Sequence, residues 1–452
     1  MSSAKKQTSV DNQVVVIVLA AGKGMRMKSA TPKVLHKICG QSILYRVLKS
    51  ARGVVVSQSA ENGEVVLVLG HEFEKLKTAS LAFADDLNLH LNIARQTEIQ
   101  GTGSALIAAF EKLDTKRIGT VVVISGDTPL ITSRTLNALV DAHMSSQNSA
   151  TLLTASVADP TGYGRVKRGA SGEVLQVVEE KDVDEFERGV EEINSSIYAF
   201  ECAFLEEYLC KITTANAQRE KYLTQIVELG VECGSQIGAS RIEELGGEVH
   251  EIEGVNNRVQ LAKLAEIRRL QIVQEHQLNG VTVTDPGSTR IEEDVEIGED
   301  VEILPGCVIL PGNKIASGAQ IGPHAYLRPG NVIGKCAKVG AFVEVKNSRI
   351  GSGSKVPHLS YVGDAVIGED TNIGAGSIFA NYDGVSKNRT IVGSGVKIGS
   401  KTVLVAPVEV SDNAYTGAGT VLRENVPENA LAYSENSVTI VDEWVKNNRT
   451  SN

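Results

Sequence analysis

LAAGKGMRM (19–27) follows an apolar run and sets Lys23 and Arg26 in a Gly-rich turn, with Lys33 a few residues on. Glycine lets backbone N–H groups approach an anion closely, and the cations neutralise it, so the chemistry suits a polyphosphate. The turn is neither GxxxxGK[ST] nor GxGxxG, and alone it is equally compatible with an ordinary strand-to-helix connection. SGDTPL (125–130) puts Asp127 at the end of a Val-rich run. A carboxylate beside a hydrophobic sheet needs a cation or several donors. A Mg²⁺ shared with a nucleotide phosphate meets that need. A weaker Gly element, GTGSA (101–105), comes shortly after Gln96.

The last third carries a different set: Arg328 in AYLRPG, Lys346 in FVEVKN, His358 and Tyr361 in KVPHLSYVGDA, and Lys387 after NYDG (381–384). A lone histidine in a turn is usually structural or simply exposed. Arg, Lys and Tyr in neighbouring repeats shift the reading to a site that holds an anion and moves a proton, since imidazole titrates near neutral pH.

Two kinds of element must position these groups. VVVIVLA (14–20), EVVLVLG (64–70) and TVVVISG (120–126) are short Val-rich runs typical of strands buried on both faces. They alternate with stretches of helical spacing such as SILYRVLKSAR (42–52) and GSALIAAFEKL (103–113). This predicts an α/β domain, Rossmann-like, with a mainly parallel sheet and ligands at the carboxyl ends of its strands. Residues 257–279 read as one helix with an apolar stripe of Leu261, Leu264, Ile267/Leu270 and Val273, stopped by Gly280. Beyond it the period becomes six. Apolar residues run from Ile291 to Val345 at every sixth position, slip by one at Ile350 and again at Ile367, and resume from Val392 to Leu422 after the loop 381–390. Neither 3.6 nor 2.0 explains six. Stacked coils of a left-handed parallel β-helix do, with three hexads per coil and about seven coils. The expected organisation is a flexible tail 1–13, the α/β domain 14–256, a linker helix 257–280, the β-helix 281–433 and a tail 434–452.

The 452 residues carry a net charge of −10 and a pI near 5.5, which argues against a nucleic-acid partner. Six scattered cysteines with no CxxC pair read as reduced thiols. No apolar run is long enough to span a membrane. The run 14–21 is a poor signal peptide because GKGMRMKS follows it at once. A cytoplasmic protein without membrane insertion is the expectation. The single Trp444 reads as a packing anchor in the tail, with a role near a neighbouring subunit's site as the minority reading.

Taken together, LAAGKGMRM, TPKVLH (31–36), SGDTPLI (125–131), TGYGRV (161–166), VEEKD (178–182), EINSSIY (192–198) and EGVNNR (253–258) resemble the sugar-phosphate nucleotidyltransferases. More narrowly, the chain resembles the bifunctional N-acetylglucosamine-1-phosphate uridylyltransferase / glucosamine-1-phosphate N-acetyltransferase family from about Val14 to Ala432. The resemblance implies that Leu19, Ala20, Ala21, Gly22 and Lys23 bind UTP, with Arg26 and Lys33 on its phosphates as catalytic cations, and that Gln96, Gly101 and Thr102 read the uracil. It implies Asp127 and Asn256 as ligands of Mg²⁺, and Gly164, Glu179, Asn194 and Tyr222 on N-acetylglucosamine 1-phosphate. In the second half it implies His358 as general base of an acetyl transfer, Arg328, Lys346 and Lys387 on the phosphate of glucosamine 1-phosphate, and Tyr361, Asn372 and Asn381 on its sugar. Ala375, Asn381, Tyr382, Ser400, Ala418 and Arg423 fall to acetyl-CoA. It further implies a homotrimer with sites built between neighbours, and a place in peptidoglycan synthesis. UTP and acetyl-CoA are then co-substrates.

The sequence departs from that family at Ser104 (usually His), Ser125 (commonly Tyr), Gln225 (usually Asp) and Glu435 (commonly Arg after Ser). The first three bear on base and sugar packing, the last on how CoA phosphates are held. Two other readings stand beside the bifunctional one. In the first, a monofunctional nucleotidyltransferase uses its β-helix only to oligomerise; in the second, a degenerate scaffold carries a nucleotide-sensing head. His358, Arg328 and Lys346 speak against the former, and Asp127, Asn256 and Lys33 against the latter.

Overall fold

The computed structural model describes residues 13–58, 63–97, 101–435 and 438–448. The expected flexible tail lies outside them except for Gln13, which opens the first strand. The chain divides into two compact units, Met1–Arg268 and Arg269–Asn452, and the division falls within the helix Arg258–Leu278.

In the first unit one sheet runs in the order Ile237–Arg241, Ala150–Ser156, Glu192–Glu201, Ile118–Ser125, Gln13–Ala20, Val65–Leu69, Leu91–Arg95. All neighbours are parallel except Glu192–Glu201, which is antiparallel to both of its own and carries the hairpin Gly164–Arg168/Val174–Val178. The unbroken Val runs follow from packing on both faces. Val14, Val16 and Val18 join Leu44, Val47 and Leu48 of the helix Ile43–Gln58, whereas Val15 and Ile17 join Leu106, Phe200 and Leu205 on the other side. Each such buried side chain contributes about 1.5–3 kcal/mol. Leu19 pairs with Ser125, so the Gly-rich turn and Asp127 emerge side by side at the carboxyl ends of adjacent strands.

In the helix Arg258–Leu278 the buried residues include Leu264, Ile272 and Val273, whereas Leu270 is 42% exposed. The expected stripe is therefore displaced: Ile272 is buried in place of Leu270, which falls on the exposed face together with Val259, Lys263 and Glu266.

The second unit consists of three parallel sheets of nine, eight and seven strands, mostly two or three residues long. Ile291, Ile303, Ile309, Leu327, Ile333, Val339 and Val345 are fully buried between them. This is the three-faced stack of a left-handed parallel β-helix that the hexads predict. Two rungs escape the hexad count, Thr282–Val283 and Leu431–Ala432. Val283 lies eight residues before Ile291 across an Asp-Pro-Gly turn, which hides it from a six-residue register.

Residue spacing between stacked strands is not constant. Tyr326 stacks on Glu344, Glu344 on Tyr361, Tyr361 on Ile378, and Ile378 on Val403. The coils thus lengthen and shorten while the ladder continues. Both one-residue slips (345–350 and 362–367) and the loop 381–390 fall at one corner, between the second and third faces. Trp444, in the short helix Trp444–Asn448, is 58% exposed and is not a packing anchor within the chain.

Candidate active sites

A cleft of about 420 Å³ opens at the carboxyl ends of the first unit's strands. It is lined by Leu19, Ala20, Ala21, Gly22, Lys33, Gln96, Gly101, Thr102, Asp127, Glu179 and Tyr222, eleven positions singled out from the sequence. Gly24 has φ 60, and a Cβ there would meet the Lys33 Cβ at 2.7 Å, so this glycine lets Lys33 cross the turn into the cleft. Gly101, at φ 93, lies against the Lys221 carbonyl, where a Cβ would come within 2.6 Å.

Lys33 Nζ donates to Asp127 Oδ2 and, at 3.3 Å, to Asn256 Oδ1. Arg26 donates to the same Asn256 oxygen at 2.9 Å. Ser125 Oγ donates to Asp127 Oδ1 at 2.7 Å, and Val255 N to the Asp127 carbonyl at 2.9 Å. Asn256 and Arg26 do not line the cleft but reach its edge through Lys33. Lys23 is exposed on the turn, also outside the lining. Asp127 and Asn256 thus present a carboxylate and an amide oxygen already bridged by a cation. That pair fits Mg²⁺, which is commonly held by one or two protein oxygens together with phosphates and water.

Gly164 and Asn194 pair across neighbouring strands, both buried and neither in the cleft lining, and Asn194 Nδ2 donates to Tyr198 Oη at 2.7 Å. A bulge makes this pairing. The strand Glu192–Glu201 loses register between Asn194 and Tyr198, where Ser196 has φ 62. Glu179 accepts from Thr224 Oγ1 at 2.8 Å, and burial pushes its carboxyl above the ordinary value, with Asp182 and Glu220 adding to the rise. Tyr198, Gln218, Glu220 and Thr224 also line the cleft and were not singled out from the sequence. EINSSIY held the bulge, but nothing in its residue types announces a break in register.

The other candidate residues stack along two edges of one β-helix face. His358, Ala375, Ser400 and Ala418 follow one another at the corner before it: Gly376 N donates to the His358 carbonyl, Lys401 N to Ala375 and Gly419 N to Ser400. Lys346, Asn381 and Lys387 lie at the opposite corner, with Arg328 one coil earlier; Tyr382 and Arg423 share that corner and are exposed. Tyr361 sits in the strand Tyr361–Gly363 between the two edges, and Asn372 in the strand leading to Ala375. Arg423 is therefore not stacked with Ala375, Ser400 and Ala418 in a single chain.

The basic corner is internally braced. Asn313 and Asn331 are fully buried, and both donate to the Arg328 carbonyl, at 3.0 and 2.6 Å. Ser348 N donates to Asn331 Oδ1 at 3.0 Å, and Ser348 Oγ to the Lys346 carbonyl at 2.8 Å. Arg328 also pairs with Glu344 at 3.3 Å. Lys346 pairs with Asp364 at 3.1 Å, and both are mostly buried. Burial alone pushes the Asp364 carboxyl up, but hydrogen bonds from Asn347, Lys346 and Asn381 outweigh it and hold the group below its ordinary value.

Among the described residues no helix is long and apolar enough to cross a membrane, and no group of three His, Cys, Asp or Glu is placed to hold a metal. All six cysteines are unbridged.

Two family models match the chain: the MobA-like NTP transferase domain over residues 16–188, and the GMPPB C-terminal domain over 309–424. The bifunctional protein GlmU of Corynebacterium diphtheriae is 42% identical over 96% of this chain and 94% of its own. GlmU of Mycobacterium avium is 43% identical over 98% and 95%, and that of Mycobacterium tuberculosis H37Ra 43% over 96% and 92%.

Proposed function

Since the chain belongs to the family of bifunctional GlmU proteins, we propose that its first unit transfers a uridylyl group from UTP to N-acetylglucosamine 1-phosphate and its second an acetyl group from acetyl-CoA to glucosamine 1-phosphate. The observation that carries the reading is identity of 42–43% running through both units with nearly the whole length of each relative covered. A β-helix that only oligomerises is not favoured, because those relatives are bifunctional throughout the same span.

In the first unit the sugar phosphate is already an anion and needs no general base. A phosphate oxygen attacks the α-phosphorus of UTP, the bond to the bridging oxygen breaks, and pyrophosphate leaves. Alignment and charge neutralisation then account for the rate. Lys33 and Arg26 are the cations, with residues 19–23 supplying backbone N–H groups and Gln96, Gly101 and Thr102 the base contacts. Glu179, Gly164, Asn194 and Tyr222 receive the sugar. Asp127 and Asn256 would hold Mg²⁺, which neutralises phosphate charge when bound. The Lys33 ammonium that bridges them supports this assignment, because the oxygen pair already accommodates a positive charge.

In the second unit the ammonium of glucosamine 1-phosphate must lose a proton before its nitrogen attacks the thioester. His358 takes that proton, the new C–N bond forms, the C–S bond breaks, and CoA leaves as its thiol. Arg328, Lys346 and Lys387 grip the phosphate, with Tyr361, Asn372 and Asn381 on the sugar. Ala375, Ser400 and Ala418 offer acetyl-CoA a continuous edge ending at His358, and Tyr382, Asn381 and Arg423 would meet it from the other corner. Two corners of a single chain face apart around the prism, which favours a trimer that brings one chain's edge to another's; sedimentation of the purified protein tests this. A reducing cytoplasm suits six unbridged cysteines.

The experiment is release of CoA thiol from acetyl-CoA and glucosamine 1-phosphate without UTP, beside release of pyrophosphate from UTP, Mg²⁺ and N-acetylglucosamine 1-phosphate. Both products are expected. Pyrophosphate without thiol would reduce the second unit to a scaffold.

A further inference from the structure

We propose that Asp364 is a positioning residue of the second site: its carboxylate fixes the Lys346 ammonium and the Asn381 amide across three successive coils before substrate arrives. The inference rests on the acetyltransferase reading of this unit.

Asn347, Asp364 and Asn381 occupy the same place in consecutive coils, each 17 residues after the last. Asp364 is the middle rung. Its Oδ1 accepts from Asn347 Nδ2 at 2.7 Å, and its Oδ2 accepts from both Lys346 Nζ at 3.1 Å and Asn381 Nδ2. Asn347 and Asp364 have φ 45 and 49, a left-handed conformation that Asn and Asp tolerate and that turns the chain sharply at this corner. The main chain ties the same residues, since Asp364 N donates to the Lys346 carbonyl at 2.9 Å.

A corner of the β-helix does not need a charge. Of the corresponding corners in earlier coils, one turns with Asp294 and the next two with Gly312 and Gly330 beside the neutral Asn313 and Asn331, so the turn accepts a carboxylate without requiring one. Burying a carboxylate is costly unless it is paired and fully hydrogen-bonded. Here two of its three donors belong to residues assigned to the substrate. An ammonium has three N–H groups, and Asp364 takes one, which leaves two for a phosphate. The carboxylate holds the Lys346 ammonium in place with no phosphate bound, and the geometry of the phosphate site is thereby set in the free enzyme.

The test is a double-mutant cycle with Asp364→Asn, Lys346→Ala and the double variant, scored by CoA release. Asp364→Asn should lower kcat/KM for glucosamine 1-phosphate about 10- to 100-fold, mainly through KM. The uridylyl-transfer rate should stay within about twofold. Adding Asp364→Asn to Lys346→Ala should cost little more than Lys346→Ala alone. Independent losses in the double variant, or an unchanged KM in a folded Asp364→Asn protein, overturn the proposal. A second readout needs neither activity nor a variant: reductive methylation of the wild-type chain with formaldehyde, followed by mass spectrometry of individual lysines across pH. Lys346 should become reactive at higher pH than the exposed Lys397, and reactivity at the same or lower pH overturns the hold by Asp364. Absence of CoA release from the wild type would sink the acetyltransferase reading instead, and the labelling would still decide the contact.

Discussion

Acidifying the solvent from pH 7 towards 4 must at some point force a proton onto His143, and the first unit is built to resist it. The side chain is 3% exposed in the helix Ser133–Ser146, with Nδ1 at 3.0 Å from the Thr151 hydroxyl on the adjacent strand. Burial lowers its pKa from 6.5 to about 4. The unfolded chain therefore binds this proton at a higher pH than the folded one does. Stability that is present above pH 6.5 is lost progressively as pH falls towards 4. At about 1.4 kcal/mol per tenfold change, the full loss is about 3 kcal/mol, and most of it, about 2.5 kcal/mol, has gone by pH 4.5. That is a large part of a typical domain's 5–15 kcal/mol. Carboxylates titrate over the same range, so the measurement is a comparison: urea unfolding of wild type and His143→Gln at pH 7 and at pH 4.5, followed on the first unit's transition. The wild type should lose about 2–3 kcal/mol more than the variant between the two pH values. A difference below about 0.5 kcal/mol would refute the assignment of the acid limit to this imidazole.

His358→Ala should lower acetyl transfer by about 10²- to 10⁴-fold and leave pyrophosphate release near normal; equal loss of both activities would contradict the independence of the two sites. Because burial raises the Glu179 carboxyl, KM for N-acetylglucosamine 1-phosphate should begin to rise at a higher pH than an ordinary carboxylate would dictate as the solution is acidified. Glu179→Gln should have a raised KM that no longer moves over that range, and kinetics at several pH values check both. Asp127→Asn should weaken the Mg²⁺ dependence of pyrophosphate release while acetyl transfer is unchanged, as a magnesium titration of each activity reports. Phe379→Ala empties a fully buried site inside the β-helix and should cost about 3–5 kcal/mol, seen as an earlier melt of the second unit.

Much of this is legible in the amino-acid sequence. A six-residue apolar period has no competing explanation in helices or flat sheets, so the β-helix could be named from Ile291 to Val345 alone. The cleft was legible through its Gly turn and Asp127, because side chains at the ends of parallel strands converge whatever lies between them. Tyr198 and Thr224 were not, since the first depends on the bulge at Ser196 and the second on a loop returning to Glu179. Asp364 is not marked by its place in KVPHLSYVGDA. Its meaning lies in residues 17 positions away on either side, a spacing that carries no information until the coils are stacked.

The variable coil length has a consequence for how such a chain can change over generations. Each layer is keyed to the one beneath chiefly by backbone pairing of its short strands, so the number of residues between rungs is a local quantity that the strands of neighbouring layers do not register. One corner is a residue shorter in two successive coils and then takes in a loop, while in those same coils the other two corners keep their count. Insertions and deletions, elsewhere the most disruptive of mutations, become a means of adjustment here. New binding chemistry can be spliced into a corner without renegotiating the interior, and every coil offers three places to try.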